Sequence, residues 1–478
     1  MNTKQQVSKK GKIKFIIGAL LGAFLFLAPI PTGAGTFNIP LGLVIDWLNV
    51  EVLNAGEGLS DIRIWLAYSF IIVSFVATVV AYVFKPAFIM NNPKLKEVLL
   101  TSPLYAVTRL IAFIVMTMVI FDVTGGPVVW WMEGTPTFAQ VIIDPWDGGG
   151  LMVFELISGL TTIFLVLAFA IPILTDFGLM EFIGVLIKRF VNKLFKLPGR
   201  ASVDLAASWF GSSAVSVIIT RDQHEKGFYT GREAATICAN FAFVSLPFSL
   251  VVASHMGLES HFALWYLMIC IVCVILGVIT PRLWPLKSLP DTYAEGVEKA
   301  IDEDLEGNET RFQKATRLAS ERAEKTTASD VVVGGLNAWL TSFLDLFPVV
   351  VGWGTVALVL NNITPVLEII SLPMGLLLEL FNVPGGADWA HITLIGFIDM
   401  FLPAVFLGTS APFETRFILG ALSIVQIIYM AETGVLILKS KMPLGFGKLV
   451  VIFLIRTLLG LPIIVGLTWI ITQLGWIG

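Results

Sequence analysis

Long apolar runs separated by short polar connections dominate this chain. Nine of the runs reach membrane-spanning length, near 13–31, 64–84, 104–123, 151–174, 230–254, 262–282, 331–360, 416–438 and 448–472. A span needs roughly 20 apolar residues to cross a hydrocarbon core of about 30 Å. Two further stretches, 201–226 and 388–414, are interrupted by Gly, Ser, Thr and Pro and carry more polar positions. They read as re-entrant hairpins that enter and leave on one face. Irregular backbone at membrane depth is tolerated only inside protein or along a wet cavity. The expected fold is an all-α polytopic membrane protein of about nine transmembrane helices plus two re-entrant hairpins.

The pattern contains a duplication. Leu194-Phe195-Lys196-Leu197-Pro198-Gly199-Arg200-Ala201 recurs 186 positions later as Leu380-Phe381-Asn382-Val383-Pro384-Gly385-Gly386-Ala387. Upstream, Leu179-Met180-Glu181-Phe182-Ile183 resembles Val366-Leu367-Glu368-Ile369-Ile370 with a one-residue slip. Each copy follows a partly amphipathic stretch, 177–196 and 365–382, which suits a helix lying in a membrane interface. Lys188, Arg189, Lys193 and Lys196 form the polar face of the first. Pro-Gly then turns the chain into the hairpin, because Pro cannot continue a helix and Gly admits the turn. The repeating unit is span, interfacial helix, hairpin and span.

Charge orients the unit. An N-terminus on the inside assigns 85–103, 175–200, 283–330 and 439–447 to the cytoplasm, where Lys85, Lys94, Lys96, Lys439, Lys441 and the basic residues around the first repeat copy gather. The outside segments 124–150, 255–261, 361–387 and 473–478 contain no Lys or Arg, in keeping with the positive-inside bias. Arg63 and Arg416 lie at outer span ends and are expected to snorkel. Trp130, Trp131 and Trp146 lie outside, as interfacial anchors do. Three spans and one non-crossing hairpin separate the two copies, and an odd number of crossings inverts the second half against the first. Inverted halves are the signature of a secondary transporter. The expected organisation is a scaffold of three spans over 1–150, a first repeat over 151–282, a cytoplasmic helical loop over 283–330, and an inverted second repeat with the last span over 331–478.

Composition agrees, at 56% hydrophobic and 14% charged residues, and the net charge of −4 adds nothing to it. Three cysteines give no disulfide framework; Cys270 and Cys273, within an apolar span, read as core packing. Lys4, Lys9, Lys10, Lys12 and Lys14 precede an apolar run to Pro29, like a signal peptide, but the run is long and reads as an uncleaved first span. The loop 286–330 is acidic and then mixed in sign at helical spacing, which suits either a plain cytoplasmic helix or a regulatory, partner-binding one.

In inverted-repeat carriers the ligand sits near the midplane, where broken helices expose backbone groups. The first hairpin tip offers Ser212, Ser213 and Ser216, whose hydroxyls serve a polar solute or simply pack closely. The next span carries Thr236 and Asn240, an amide that needs either a solute or an interhelical partner. The second hairpin offers Asp399, an intramembrane carboxylate and hence a functional candidate. Thr409 and Ser410 echo the first tip out of register. Gln426 and Glu432 follow, Glu432 serving as a proton or cation site or as partner to Arg456. Glu155 and Asp345 read as structural. No catalytic or metal-ligating set emerges.

The unit of interfacial helix, hairpin and span resembles the nucleoside-recognition or Gate domain, shared by concentrative nucleoside transporters, the membrane part of FeoB-type ferrous-iron transporters and sporulation maturation proteins. Gly211-Ser212-Ser213-Ala214 and Tyr229-Thr230-Gly231-Arg232-Glu233-Ala234-Ala235-Thr236 look like the nucleoside transporters' tip and following helix, with Ser212, Ser213 and Ala214 in place of Gln, Thr and Glu. Phe26-Leu27-Ala28-Pro29-Ile30-Pro31 and Gly35-Thr36-Phe37-Asn38-Ile39-Pro40-Leu41-Gly42 look like the YjiH family of bacterial membrane proteins. The resemblance implies two Gate repeats, a gating motion and a site between hairpins.

The leading expectation is a secondary transporter of a small polar solute, a nucleoside or related compound, with Phe241, Phe243, Phe413 or Tyr429 to stack on a base. A ferrous-iron-type permease, using Cys238, and a membrane assembly protein are the alternatives. No enzyme is expected, since no P-loop, dinucleotide fingerprint, zinc signature or nucleophile elbow is present. The expected partners are the solute, the lipid bilayer and further copies of the chain, with no nucleic acid. No cofactor is expected beyond a coupling Na+ or H+. The expected location is the cell membrane, multi-pass, with the N-terminus cytoplasmic and the C-terminus outside.

Overall fold

The computed structural model describes residues 8–28, 30–33, 36–53, 60–91, 99–100, 103–123, 137–144, 149–210, 213–294, 297, 299, 309–341, 343–344, 347–440 and 442–477. In chain order its main elements are α1 (Lys9–Leu27), the antiparallel pair β1 (Ile30–Gly33) and β2 (Thr36–Asn38), α2 (Pro40–Trp47), α3 (Ile62–Val83), α4 (Pro103–Val123) and α5 (Ser158–Thr175). There follow α6 (Leu179–Phe195), α7 (Ala201–Phe210), α8 (Ser213–Glu225), α9 (Gly231–Phe241), α10 (Leu246–His255), α11 (Phe262–Ile279) and α12 (Arg311–Lys325). The remainder are α13 (Ala328–Thr341), α14 (Phe347–Ile363), α15 (Val366–Leu380), α16 (Ile392–Ile395), α17 (Leu402–Leu407), α18 (Phe413–Val425), α19 (Thr433–Lys439) and α20 (Phe446–Gln473). Apart from the small hairpin, the regular elements among the described residues are helical. Ile62–Val83, Gly231–His255, Glu259–Arg282 and Phe446–Gln473 are long and apolar enough to cross a membrane. Trp130, Trp131, Trp146, Asp345 and the side chain of Glu155 lie outside the described residues.

The chain forms two compact units. One comprises Leu41–Phe169 and Val333–Pro373. Its core packs tilted aromatic rings together, with Phe343 against Phe347 at 4.3 Å and against Phe70 at 4.7 Å. Arg63 does not snorkel as its position suggests. It is buried, and donates to Asp61 (Nε to Oδ1, 2.9 Å) and to Asn49 Oδ1 (2.7 Å), which also accepts from Thr162 (2.6 Å). Pairing inside protein is cheaper here because the carboxylate lies only two residues away.

The other unit holds Met1–Pro40, Ala170–Val332 and Met374–Gly478, and with them both copies of the repeat. The two copies of the phrase share one backbone feature. Lys196 and Asn382, 186 residues apart, both end their amphipathic helices in the left-handed region, at φ 56° and 53°. A non-glycine residue pays about 1–2 kcal/mol for that conformation. Lys196 is exposed, so Lys196→Gly is expected to raise stability by about 1 kcal/mol, read as a higher Tm of the purified protein.

Each half then runs through a short helical hairpin, α7–α8 or α16–α17, into a helix that breaks. The apolar runs 230–254 and 416–438 read as continuous spans, yet both are interrupted. In the first, α9 ends at Phe241 and α10 begins at Leu246. In the second, α18 ends at Val425 and α19 begins at Thr433. The halves also exchange contacts, since α8 packs on α19 and α10 packs on α17.

The loop expected at 283–330 is not a free appendage. Its helix α12 opens with a capping box, the Thr310 hydroxyl accepting from Gln313 N and the Gln313 side chain accepting from Thr310 N. It packs on α1 and α6. Ala315, Ala319 and Ala323 are fully buried at one-turn intervals, allowing close approach. Arg322 reaches Asp176 at 2.9 Å, and Lys14 donates to the Thr326 carbonyl at 2.7 Å.

Candidate functional site

The two breaks share a chemistry. Asn240 lies in the last turn of α9 and Gln426 immediately follows α18; the two amides are 186 positions apart, the spacing of the repeated phrase. Both are completely buried. A helix end leaves its last carbonyls without intrahelical partners and concentrates partial negative charge. Arg456 of α20, also completely buried, meets both ends. Its Nε donates to the Val425 carbonyl (2.9 Å) and its Nη1 donates to Asn240 Oδ1 (2.9 Å). The Thr280 hydroxyl donates to the same Asn240 oxygen, and Asn240 Nδ2 donates to the Thr236 carbonyl (3.1 Å). Cys273 lies against the guanidinium.

The neighbouring residue on α20 serves the other amide. Gln426 Nε2 donates to Thr457 Oγ1 (2.9 Å) and to the Thr393 carbonyl (2.7 Å). A carbonyl can only accept, which settles the orientation of the amide. Gln426 Oε1 therefore faces the other way, against Gly396, where a Cβ would collide with it. It is buried with no hydrogen-bond partner, as is Arg456 Nη2. One orphan acceptor and one orphan donor thus accompany the breaks, and buried orphans of this kind are rare in folded chains.

The second break is held under strain. Ile427 has φ 63°, an outlier for a β-branched residue. The Tyr429 hydroxyl accepts from Ile427 N (3.1 Å) and donates toward the Ser423 and Ile424 carbonyls (2.9 and 2.7 Å). Thr433 donates to the Ile427 carbonyl (2.7 Å). Backbone strain persists only where its surroundings over-determine it, and it concentrates at binding and switch regions.

The hairpins contribute two carboxylates. Asp399 is buried, and its Oδ1 accepts from Phe401 N (2.7 Å), closing the turn before α17. Ala431 N donates to the Ile398 carbonyl (2.9 Å), which brings the segment of Glu432 alongside. Arg456 is turned toward the two helix ends. In the first hairpin the acidic member looked absent at the tip; Asp204, inside α7, is buried and supplies one. Its Oδ2 accepts from Thr220 (2.9 Å), and its backbone carbonyl accepts from Ser216 (3.2 Å). The sequence held a usable signal, since an acid within a hairpin at membrane depth is a functional candidate by default.

The other candidates separate. Ser213 and Thr236 are buried; Ser212 lies outside the described residues. Thr409 and Ser410 are exposed, whereas the two amides are buried. Arg416 does not extend outward as a snorkelling residue would, but donates to the Met256 carbonyl. Of the rings expected to stack on a base, Phe413 packs on His261 at 5.3 Å and Tyr429 braces the break. Phe241 and Phe243 line an apolar cavity of about 60 Å³ with Phe190, Phe195 and Trp209. That volume holds about two waters, far short of the several hundred Å³ of an ordinary ligand pocket.

The nucleoside-recognition (Gate) family model matches residues 157–259, from α5 through α10. An uncharacterized protein of Alkalihalophilus pseudofirmus is 38% identical over 465 residues, which cover 97% of this chain and 95% of that protein. No solved structure matches the chain. Identity at this level, over nearly the full length of both chains, shows common descent. The chain belongs to the same protein family as this relative, and it carries a Gate nucleoside-recognition domain over residues 157–259.

Proposed function

We propose that the protein is a secondary transporter that moves a small polar solute, a nucleoside or related compound, across the bacterial cytoplasmic membrane by alternating access. The observation that carries this reading is the pair of broken helices, with Asn240 and Gln426 at repeat-equivalent positions facing Arg456 and Thr457 of one helix. Discontinuous helices of this kind are where carriers bind. The Gate match over the first half supports the nucleoside class. A nucleobase edge presents donors and acceptors side by side, the complement of a free Gln426 Oε1 and Arg456 Nη2. Gly396, in the second hairpin, covers that Gln426 oxygen, so displacement of this hairpin is the natural gate.

The topology belongs to the same proposal: about nine spans and two hairpins, inverted Gate repeats over 151–282 and 331–478, the N-terminus cytoplasmic and the C-terminus outside, and membership of the YjiH family. Ser213, Ser216, Thr236, Asp399 and Glu432 stand as supports of the two hairpins and breaks. No catalytic role is assigned.

Thermal stabilisation of the detergent-purified protein across nucleosides, bases, amino acids and divalent metals tests it. A ligand of the folded state stabilises it by about 2.7 kcal/mol at a hundred times its dissociation constant. The expected result is a nucleoside or base response. A response to divalent metals alone would replace this reading with a metal permease, and a flat panel would remove the nucleoside class.

A further inference from the structure

Arg456 stands in an unusual place for a guanidinium. Two half-helix ends, α9 and α18, bring carbonyls and negative dipole ends together there. In carriers with broken helices, unwound carbonyls and half-helix C-terminal ends are what a coupling cation binds. The oxygen donors assembled here are the Val425 carbonyl, Asn240 Oδ1 and the Thr280 hydroxyl. Two of them accept directly from the guanidinium. Both of these acceptors are amide oxygens, one on a side chain and one at a helix end. Such a donor set is neutral and oxygen-rich, as a hard monovalent cation requires.

We infer that Arg456 is a tethered cation that fills the position where the two broken helices would otherwise bind a sodium ion, so that the protein binds no sodium there. The guanidinium is permanently protonated, and it reaches its oxygens from a helix whose packing against α18 and α11 fixes its height. The consequence for coupling rests on the carrier reading above; the sodium statement itself does not. A carrier built this way runs either uncoupled or on another ion, and its two breaks stay bridged throughout the sodium concentrations of a cell.

The test needs no knowledge of the solute. Purified protein is melted in NaCl, KCl and choline chloride at equal ionic strength, as wild type, Arg456→Ala and Arg456→Lys. Wild type is expected to melt at the same temperature in all three salts. Arg456→Ala, which vacates the donors, is expected to melt lower, and to gain a saturable rise of roughly 2–4 °C specific to sodium or to added guanidinium ion. Arg456→Lys, which keeps a charge, is expected to remain indifferent to sodium. Sodium-specific stabilisation of wild type overturns the inference, as does a folded Arg456→Ala variant that responds to neither ion. Should Arg456→Ala fail to purify, a sodium response in Arg456→Lys overturns it and indifference supports it. A sodium-responsive wild type that also binds nucleosides keeps the carrier and loses the tethered cation. A sodium-indifferent wild type that binds none does the reverse.

Discussion

Asn240→Leu is expected to cost roughly 2–5 kcal/mol of stability and to abolish solute binding. The leucine has the same branched outline and is not smaller, so cavity formation contributes little. The loss comes chiefly from Arg456 Nη1, which loses its acceptor in a fully buried position, while the Thr280 hydroxyl keeps the Leu276 carbonyl as acceptor. An orphaned buried polar group costs about 1–3 kcal/mol, more when it is charged. Asn240→Asp separates this account from a general intolerance of substitution. It restores an acceptor for both donors and adds an ion pair, offset by the lost donation from Asn240 Nδ2 to the Thr236 carbonyl, so it is expected to melt near wild type and well above Asn240→Leu. The measurements are Tm in detergent and amide exchange over 426–432, which Arg456 holds through the Val425 carbonyl. An Asn240→Leu protein within about 0.5 kcal/mol of wild type would mean that the guanidinium bridge contributes little to holding the breaks.

Gly178→Val is expected to undock α12 or to destabilise the protein by about 2–5 kcal/mol. Gly178 caps the start of α6 at φ 89°, a conformation that costs an L-residue about 1–2 kcal/mol and a β-branched one more. A Cβ there would also drive into the Ala319 carbonyl at the centre of the α12 contact. Overpacking of this kind typically adds 1–3 kcal/mol. Because backbone cannot move aside as a side-chain tip can, release of α12 is the alternative to strain. Limited proteolysis should then cut within 311–325 in the variant but not in wild type. Gly445→Val is the matched control, since a Cβ at Gly445 meets nothing within 4 Å and its φ of −86° is ordinary. Equal protease resistance and equal Tm in the Gly178 variant would show that α12 is not held where it packs.

Much of the architecture was legible beforehand because it rests on periodicity and count. Apolar runs announce spans through their length, and the Pro-Gly of each repeat copy announces a turn through what Pro and Gly permit. Asn240 stood out as an amide in apolar surroundings that must find a partner, and Gln426 as a polar residue inside an apolar run. The breaks at 242–245 and 426–432 were not legible. The composition on either side is that of an unbroken span, and the interruption is stabilised by partners far along the chain. Arg456 lies 216 positions from the Asn240 it meets, and Thr433 and Tyr429 brace Ile427 only once the chain has already turned. Asp204 was visible as a residue but not as a buried acid, since its burial depends on how α7 and α8 close on Thr220.

By itself, then, the sequence determined a predominantly helical chain with apolar runs of membrane-spanning length, a phrase that recurs 186 residues apart, a turn at each Pro-Gly, and amides at 240 and 426 inside apolar runs. Those features are local, written in apolar length and in the φ and hydrogen-bonding limits of single residues. Only the tertiary structure decided that both helices break beside those amides, that one guanidinium joins the two helix ends, and that α12 lies packed on α1 and α6. These depend on which distant carbonyls and donors meet, and a hydrogen bond across hundreds of residues leaves no periodic mark on the chain that makes it.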